Sequence, residues 1–196
     1  MQNEFIWKKE EVPAALIEKI EACIKEKDKC ILAIDGRAAA GKTTLANLLQ
    51  EHFDVAVIHM DDFFLPLELR TKERYATPGG NVHYERFNEE VGSQLTIGHA
   101  FKYQRFNCKK MQLDTWQEVE NKRVMIVEGT YATHPEIQVA YDMKLFLDIN
   151  KEEQKSRILH RNGEQMLEQF LSKWIPLEEM YFESYGVMEH CNRVLT

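Results

Sequence analysis

Apolar and polar positions alternate along the chain in two different patterns. Four short runs rich in β-branched residues predict strands, and the first is continuously apolar, as expected of a strand buried on both faces. Between these runs, apolar residues recur at the three- and four-residue spacing of amphipathic helices. The predicted strands cover 30–34, 55–60, 124–127 and 144–149, with a further edge strand at 193–195. The predicted helices begin at Pro13 and then cover 44–53, 83–97, 152–161 and 166–185, the last kinked near Pro176.

This alternation predicts one α/β domain over residues 1–196. Strands separated by helices are joined by right-handed crossovers, which produce a mostly parallel sheet with helices on both faces. Ligands of such sheets bind outside the carboxyl ends of the strands, so polar residues at those ends are the candidates for function. Segments 61–82 and 99–118 lack clear periodicity. A loop as long as the first of these is usually functional.

Composition excludes several classes of function. The 196-residue chain has a formal net charge of −7, whereas binding to a nucleic-acid polymer needs a basic surface. No stretch approaches the length of apolar sequence that a membrane span requires, and the charged N-terminus lacks the apolar region of a signal peptide. The scattered cysteines predict neither a zinc site nor a redox motif, which favours a reduced, cytoplasmic protein. They are Cys23, Cys30, Cys108 and Cys191. Oligomeric state is left open, a homo-oligomer included.

A phosphate-binding pattern, G-x-x-x-x-G-K-[ST], lies between the first predicted strand and the helix after it. Its glycines let backbone N–H groups turn inward around phosphate oxygens, and the helix adds the positive end of its dipole. Lys42 is expected to reach the β- and γ-phosphates, and the Thr43 hydroxyl to ligate Mg²⁺. The pattern predicts nucleoside triphosphate binding in a P-loop NTPase three-layer sandwich. The predicted nucleotide-binding residues are Gly36, Ala38, Ala39, Ala40, Gly41, Lys42, Thr43 and Thr44.

Carboxylates follow two of the predicted strands. Asp61 and Asp62 come directly after the second strand, and Glu128 directly after the third. Each alone is equally well explained as a solvated turn or a helix cap. Phosphoryl transfer, however, needs one group to orient or deprotonate the acceptor and another to hold the metal. Because both strands are expected to end on the rim that carries the phosphate loop, the three features together predict a phosphotransferase.

The same motifs resemble those of the uridine kinase-like P-loop kinases, relatives of phosphoribulokinase and pantothenate kinase. Besides the phosphate loop, the resemblance is carried by His59-Met60-Asp61-Asp62-Phe63-Phe64 and Val127-Glu128-Gly129-Thr130-Tyr131. Leu147-Asp148-Ile149, followed by Arg157 and Arg161, is similar to the lid segment of that family. Lys173-Trp174-x-Pro176-x-Glu178-x-x-Tyr181-Phe182 is similar to a segment of its less characterised members. The resemblance covers approximately residues 30–195.

The resemblance implies transfer of the γ-phosphate of ATP, with Mg²⁺ as cofactor, to a hydroxyl group of a small molecule such as a nucleoside. Asp61 would be the general base and a further metal contact, and Glu128 would support Mg²⁺ through water. Arg157 and Arg161, in a lid over about 151–185, would close over the phosphates. The alternative for these two arginines is a solvated helix face.

The acceptor half departs from the family pattern. His83 stands where uridine kinases carry an aspartate for the ribose hydroxyls, and Phe106 and Asn107 replace a tyrosine and an aspartate. Each candidate also has a structural explanation; Arg86, for example, is spaced to pair with a glutamate of its own helix. The candidate acceptor-binding residues are Arg74, Tyr75, His83, Arg86, Arg105 and Phe106.

Two other functions stay open. A GTPase switch would need Asn-Lys-x-Asp after a strand, and the chain has Asn150-Lys151-Glu152-Glu153 instead. A glutamate at the last position places its carboxylate about one methylene too far for guanine. A nucleotide-binding accessory protein without acceptor turnover is the other alternative, because the acceptor site departs from that of the family.

Overall fold

The computed structural model describes residues 4–7 and 10–195 of the chain. In these residues the strands are β1 (Glu4–Ile6), β2 (Cys30–Gly36), β3 (Val55–His59), β4 (Phe101–Asn107), β5 (Gln112–Val119), β6 (Val124–Glu128), β7 (Met143–Asp148) and β8 (Asn192–Leu195). The α-helices are α1 (Ala14–Lys27), α2 (Lys42–Leu49), α3 (Lys72–Ala76), α4 (Tyr84–Phe87), α5 (Ser93–Ile97), α6 (Lys151–Asn162), α7 (Glu164–Gln169) and α8 (Ile175–Tyr185). No helix in the described part of the chain has both the length and the apolar character needed to cross a membrane.

Six strands form a single parallel sheet in the order β1-β8-β7-β2-β6-β3. The predicted α/β class, with a mostly parallel sheet between helices, is therefore confirmed. β2 lies in the middle, paired with β6 on one side and β7 on the other, so the residues after it lie at the centre of the carboxyl rim. The prediction that the C-terminal strand is an edge strand is wrong, because the unpredicted β1 pairs with its outer side.

Two hydrophobic cores cover the faces of this sheet. On one face, Leu32 and Ile34 of β2 pack with Leu16 of α1 and Leu45 of α2. On the other face, the smaller Ala33 leaves room for a core rich in aromatic rings. That core takes in Phe63, Phe87, Tyr103, Phe146, Tyr181 and Phe182. The alternation along β2 therefore places helices α1 and α2 on one face of the sheet and the aromatic core on the other face.

The polar segment 99–118 forms a two-stranded antiparallel hairpin, β4 paired with β5, separate from the main sheet. Its register shifts between Gln104 and Phe106. The buried residues Tyr103 and Phe106 are consequently three positions apart, which hides the two-residue period that identifies a strand in sequence. The outer strand β5 is largely exposed. These features explain why periodicity did not predict the hairpin.

A π-helical turn, Phe170–Trp174, connects α7 to α8. Residues 166–185 were predicted as one helix kinked near Pro176. The predicted irregularity is present: α7, the π turn and α8 follow one another without a break, and Pro176 comes two residues after the π turn. A proline has no N–H to bond the carbonyl four residues earlier, which here is that of Ser172 in the π turn. The irregularity therefore lies before the proline, in the π turn. A second π turn, Asn88–Gly92, similarly joins α4 to α5.

The fold brings together two cysteines whose spacing in the sequence does not match a metal-binding motif. Cys23 of α1, Cys30 of β2 and Asp142 have ligand atoms within 4.8 Å of one another, at the end of the sheet opposite the carboxyl rim. The carboxylate of Asp142 already accepts hydrogen bonds from the Lys27 ammonium at 2.6 Å and the Ile31 amide at 2.8 Å. The ammonium group is a competing positive charge at this cluster.

Candidate functional site

The phosphate loop occupies the carboxyl end of β2. Gly36 has φ 131°, and a Cβ there would lie 2.2 Å from the carbonyl oxygen of Leu147, so only glycine fits. Ala39 and Gly41 also have positive φ, at 61° and 102°. A left-handed residue beside a residue of the opposite hand turns consecutive backbone N–H groups toward a common centre, which is the geometry of an anion-binding nest. The predicted loop residues therefore lie together in a backbone geometry typical of such nests.

Lys42 begins α2 and is folded back over the loop. Its ammonium donates to the carbonyl oxygens of Gly36 at 2.8 Å and Arg37 at 2.9 Å, and to the hydroxyl of Thr130 at 3.2 Å. Thr130 in turn donates to the carbonyl oxygen of Gly36 at 2.9 Å. The positive charge is thus held at the centre of the nest by protein oxygens.

The N-terminus of α2 faces the same centre. Within the described residues, this helix has no side-chain cap, and its first backbone N–H groups have no intrahelical acceptor. Thr43 and Thr44 lie in this first turn, and both are exposed. Their amides and the helix dipole favour an anion at this position.

The predicted lid arginines lie in different surroundings. Arg157 of α6 donates to the carbonyl oxygen of Ala39 at 3.3 Å and pairs with Glu153 of its own helix. Arg161 is exposed and donates to the side chain of Asn162 at 2.8 Å. The structure therefore brings Arg157, but not Arg161, into contact with the phosphate loop.

Glu128 connects the carboxyl ends of two strands. Its carboxylate accepts a hydrogen bond from the Thr43 hydroxyl at 3.0 Å and contacts Nδ1 of His59 at 2.5 Å. His59 is opposite Glu128 in the register of β3 and β6. The hydrogen bond to Glu128 raises the pKa of His59, partial burial lowers it, and the charges of Glu128, Asp62 and Asp61 raise it further. Sequence analysis had not assigned a role to His59, although strand pairing makes it a neighbour of Glu128.

Asp61 and Asp62 have different environments. Asp61 is an exposed residue, yet loss of water around its carboxylate in the cleft raises its pKa, the charge of Lys42 lowers it, and those of Glu128 and Asp62 raise it. Asp62 is buried and accepts hydrogen bonds from Tyr103 and Arg105, both at 2.8 Å. Asp61 is the carboxylate available to a ligand, and Asp62 holds the β4 strand.

The arrangement fits a magnesium–nucleotide complex. The Thr43 hydroxyl and the carboxylates of Glu128 and Asp61 are oxygen donors, the ligand type that Mg²⁺ prefers. They lie next to the loop that would bind the phosphates. When bound, Mg²⁺ would neutralise charge on the phosphate oxygens.

Two predicted acceptor residues, Arg74 and Arg86, form hydrogen bonds and ion pairs within the protein. The Arg74 guanidinium bonds the carbonyl oxygens of Gly80 and Val82 at 2.9 Å each, forms an ion pair with Glu85, and lies over the Tyr84 ring. Arg86 is buried and likewise bonds backbone and carboxylate groups. Its acceptors are the carbonyl oxygens of Asp62 and Gln104 and the side chain of Glu90. Both arginines brace the loops of the acceptor side.

The other acceptor candidates lie in four different environments. Phe106 is buried, and the Arg70 guanidinium lies over its ring. His83 is half-buried, and desolvation together with Arg86 lowers its pKa. Tyr75 contacts the ammonium of Lys173 through its ring. Arg105 is about half exposed beside Asp62, with 54% of its side chain accessible. Their acceptor roles stay predictions.

Asp35 is a buried anchor that sequence analysis missed. Its carboxylate accepts from the amide of Tyr131 at 3.0 Å, the amide of Thr133 at 2.9 Å and the hydroxyl of Tyr181 at 2.8 Å. It thereby ties the segment after β6, and helix α8, to the end of β2. Its position directly before the phosphate-loop pattern was the available signal.

Asn150, in the near match to a guanine motif, caps helix α6. Its side-chain oxygen accepts the amide hydrogen of Glu153 at 2.9 Å. The Asn150-to-Glu153 spacing is therefore explained by capping.

With this geometry in place, sequence comparison identifies the family. A family model of polyphosphate kinase 2 matches residues 2–174. The chain belongs to the polyphosphate kinase 2 family. Membership in this kinase family supports ATP-dependent phosphotransfer by a P-loop enzyme.

Solved structures support the fold of this polyphosphate kinase 2 family member. A protein described as a possible uridine kinase from Bacillus stearothermophilus has a TM-score of 0.65 at 20% identity, covering 93% of this chain and 100% of that chain. A protein assigned as a fructose transport system kinase from Silicibacter sp. TM1040 has a TM-score of 0.69 at 18% identity, covering 93% and 98%. The family model confirms the P-loop kinase part of the sequence resemblance, and the solved structures agree with its fold. The uridine kinase part stays a prediction.

Proposed function

We propose that the protein transfers the γ-phosphate of ATP to a hydroxyl group of a small molecule, with Asp61 as general base. The observation that carries the proposal is the pair of adjacent aspartates. Asp62 is buried in hydrogen bonds, whereas Asp61 is exposed beside Lys42 and Glu128 with a raised pKa. A base whose pKa is closer to the working pH removes a hydroxyl proton more effectively.

The roles of the residues follow from their positions. The backbone of the phosphate loop would hold the triphosphate, and Lys42 would exchange its contacts with loop carbonyls for phosphate oxygens. Thr43 and Glu128 would hold Mg²⁺, and Arg157 would close the loop from the α6 side. As the acceptor oxygen attacks the γ-phosphorus, Asp61 takes its proton, the bond to the β-phosphate oxygen breaks, and ADP leaves. Residues 151–185 would form the lid of one domain.

Polyphosphate is a second candidate acceptor, because the family model is named for it. A polyanion would need several free cations along the acceptor side. Arg74 and Arg86 are instead engaged with backbone carbonyls and glutamates. Arg105 is paired with Asp62. The contacts of these three arginines therefore favour a hydroxyl compound over polyphosphate.

The acceptor class can be tested by a transfer assay with γ-labelled ATP and Mg²⁺. The panel would contain nucleosides, nucleotides, pantothenate, sugars, sugar phosphates and polyphosphate, with ATP hydrolysis measured in parallel. We expect label in at least one hydroxyl compound with the wild type. Lys42→Ala removes the charge that faces the β- and γ-phosphates, so we expect a loss of turnover of about 10³-fold or more.

Two results would contradict the proposal. Hydrolysis without transfer to any acceptor would favour an accessory protein, and a fully active Lys42→Ala variant would remove the phosphate loop from the mechanism. A strong preference for GTP over ATP would revive the switch interpretation.

A further inference from the structure

A buried carboxylate from helix α8 contacts the backbone of the phosphate loop. Oε2 of Glu178 accepts a hydrogen bond from the backbone amide of Ala38 at 3.2 Å. Glu178 is 5% exposed. The N–H groups of such a loop ordinarily point at phosphate oxygens, so a protein anion here takes an interaction that a phosphate would otherwise make.

Burial and the neighbouring loop residues act on the charge of Glu178 in opposite directions. Burial raises the pKa of Glu178 to about 7, while the Lys42 charge, the Ala38 amide and the Arg37 charge lower it, and Asp35 raises it. Burial raises the pKa of the neighbouring Tyr131, and the charge of Glu178 raises it further. Placing an ionised carboxylate in this position is therefore costly, and the loop is the main source of compensation.

Glu178 contacts the phosphate loop at Ala38 and interacts electrostatically with the loop lysine, Lys42. In a P-loop the lysine reaches the β- and γ-phosphates, while the helix N-terminus receives the inner phosphates. Lys42 acts electrostatically on both Glu178 and Asp61. Because Lys42 is the residue expected at the terminal phosphates, we expect the charge of Glu178 to act more on the γ-phosphate than on the inner phosphates.

The neighbouring glutamate keeps this carboxylate in place. Glu179 pairs with Arg37 of the loop, and Arg37 also bonds Asp148 of β7 at 2.8 Å. The Arg37 guanidinium lies over the ring of Phe182, one turn further along α8. With α8 fixed to the loop at two positions, Glu178 has little freedom to move away when a nucleotide binds.

We propose that Glu178 is a specificity-determining residue of the nucleotide site, whose carboxylate at the Ala38 amide weakens binding of the triphosphate more than binding of the diphosphate. The physical basis is repulsion between the carboxylate and the γ-phosphate, together with competition for one amide donor. The inference rests on the assignment of the loop to ATP in the proposed function.

The test is equilibrium binding of ADP and of a non-hydrolysable imido analogue of ATP, with Mg²⁺ and without acceptor. We expect Glu178→Gln to tighten the triphosphate about 10-fold relative to the diphosphate, because the glutamine removes the charge and keeps the oxygen acceptor. Glu183→Gln is the matched control, since Glu183 lies on the same helix and is exposed; its affinity ratio should equal that of the wild type.

The outcomes separate this inference from the proposed function. If the wild type binds both nucleotides and Glu178→Gln changes both affinities equally, or neither, the inference is wrong and the phosphate loop assignment stands. If the wild type binds neither nucleotide, both fail. Glu178→Ala provides a second variant without charge if Glu178→Gln does not fold, and the same shift in the affinity ratio is expected.

Discussion

The phosphate side and the acceptor side of the cleft are constructed differently. On the phosphate side, nine consecutive residues from Asp35 to Thr43 form the nest and its anchor, and contacts from α6 and α8 brace them. On the acceptor side, residues from the 60–63 turn, α4 and strand β4 meet around Asp62 and Arg86. The difference teaches that phosphate binding depends on a local backbone conformation, whereas acceptor binding depends on tertiary contacts between distant segments.

The largest expected effect that distinguishes the two sides is at Asp61. Asp61→Asn removes the proposed base but leaves the nest intact, so kcat should fall about 10²- to 10⁴-fold with ATP affinity nearly unchanged. Asp54→Asn is the control, because Asp54 is an exposed aspartate whose ion pair with Lys122 lies away from the cleft. An equal loss of ATP affinity in Asp61→Asn would make Asp61 chiefly a metal ligand.

Glu128 tests the phosphate side of the comparison. Glu128→Gln would leave a weaker partner for Thr43, His59 and the hydrated metal, so the Mg²⁺ concentration needed for half-maximal activity should rise roughly 10- to 100-fold. The measurement is a Mg²⁺ titration of the rate at saturating ATP, with Glu183→Gln as control. An unchanged Mg²⁺ requirement would show that Glu128 has no part in metal binding.

The smallest effect on chemistry is expected at Asp62. Asp62→Asn weakens the hydrogen bonds from Tyr103 and Arg105 in a buried position, which should lower the free energy of unfolding by about 1–3 kcal/mol. Because both carboxylate oxygens of Asp62 are already hydrogen-bonded within the protein, kcat of the folded variant should fall far less than in Asp61→Asn. Denaturant unfolding and steady-state rates measured on both variants would decide this, and the reverse ranking would exchange the roles of the two aspartates.

The position of the phosphate loop between a strand and a helix could be predicted because its determinants are consecutive in sequence. Gly36 and Lys42 are fixed by their spacing, and Glu128 is expected beside them because parallel strands end on one rim. The same reasoning about strand ends could also have placed His59 beside Glu128. Glu178 could not be placed in this way, because only the packing of α8 against the loop brings it to Ala38.

The acceptor side was predicted less well for a physical reason. The shifted register of β4 places Tyr103 and Phe106 three residues apart on one side, so strand periodicity is lost. Arg74 and Arg86 were selected as charged residues near the cleft, but their partners are backbone carbonyls that no sequence pattern displays. Tertiary contacts, and not local propensity, decide which of these side chains are available.

The most direct test of the account compares two acceptors in the wild type and in Asp61→Asn. Label transfer from γ-labelled ATP would be followed to the best hydroxyl compound of the panel and, separately, to polyphosphate. A hydroxyl oxygen must lose its proton to a base, whereas a terminal phosphate oxygen that is already ionised needs none. The account predicts transfer to the hydroxyl compound that is lost in Asp61→Asn. Transfer to polyphosphate alone, at a rate that Asp61→Asn leaves unchanged, would contradict it.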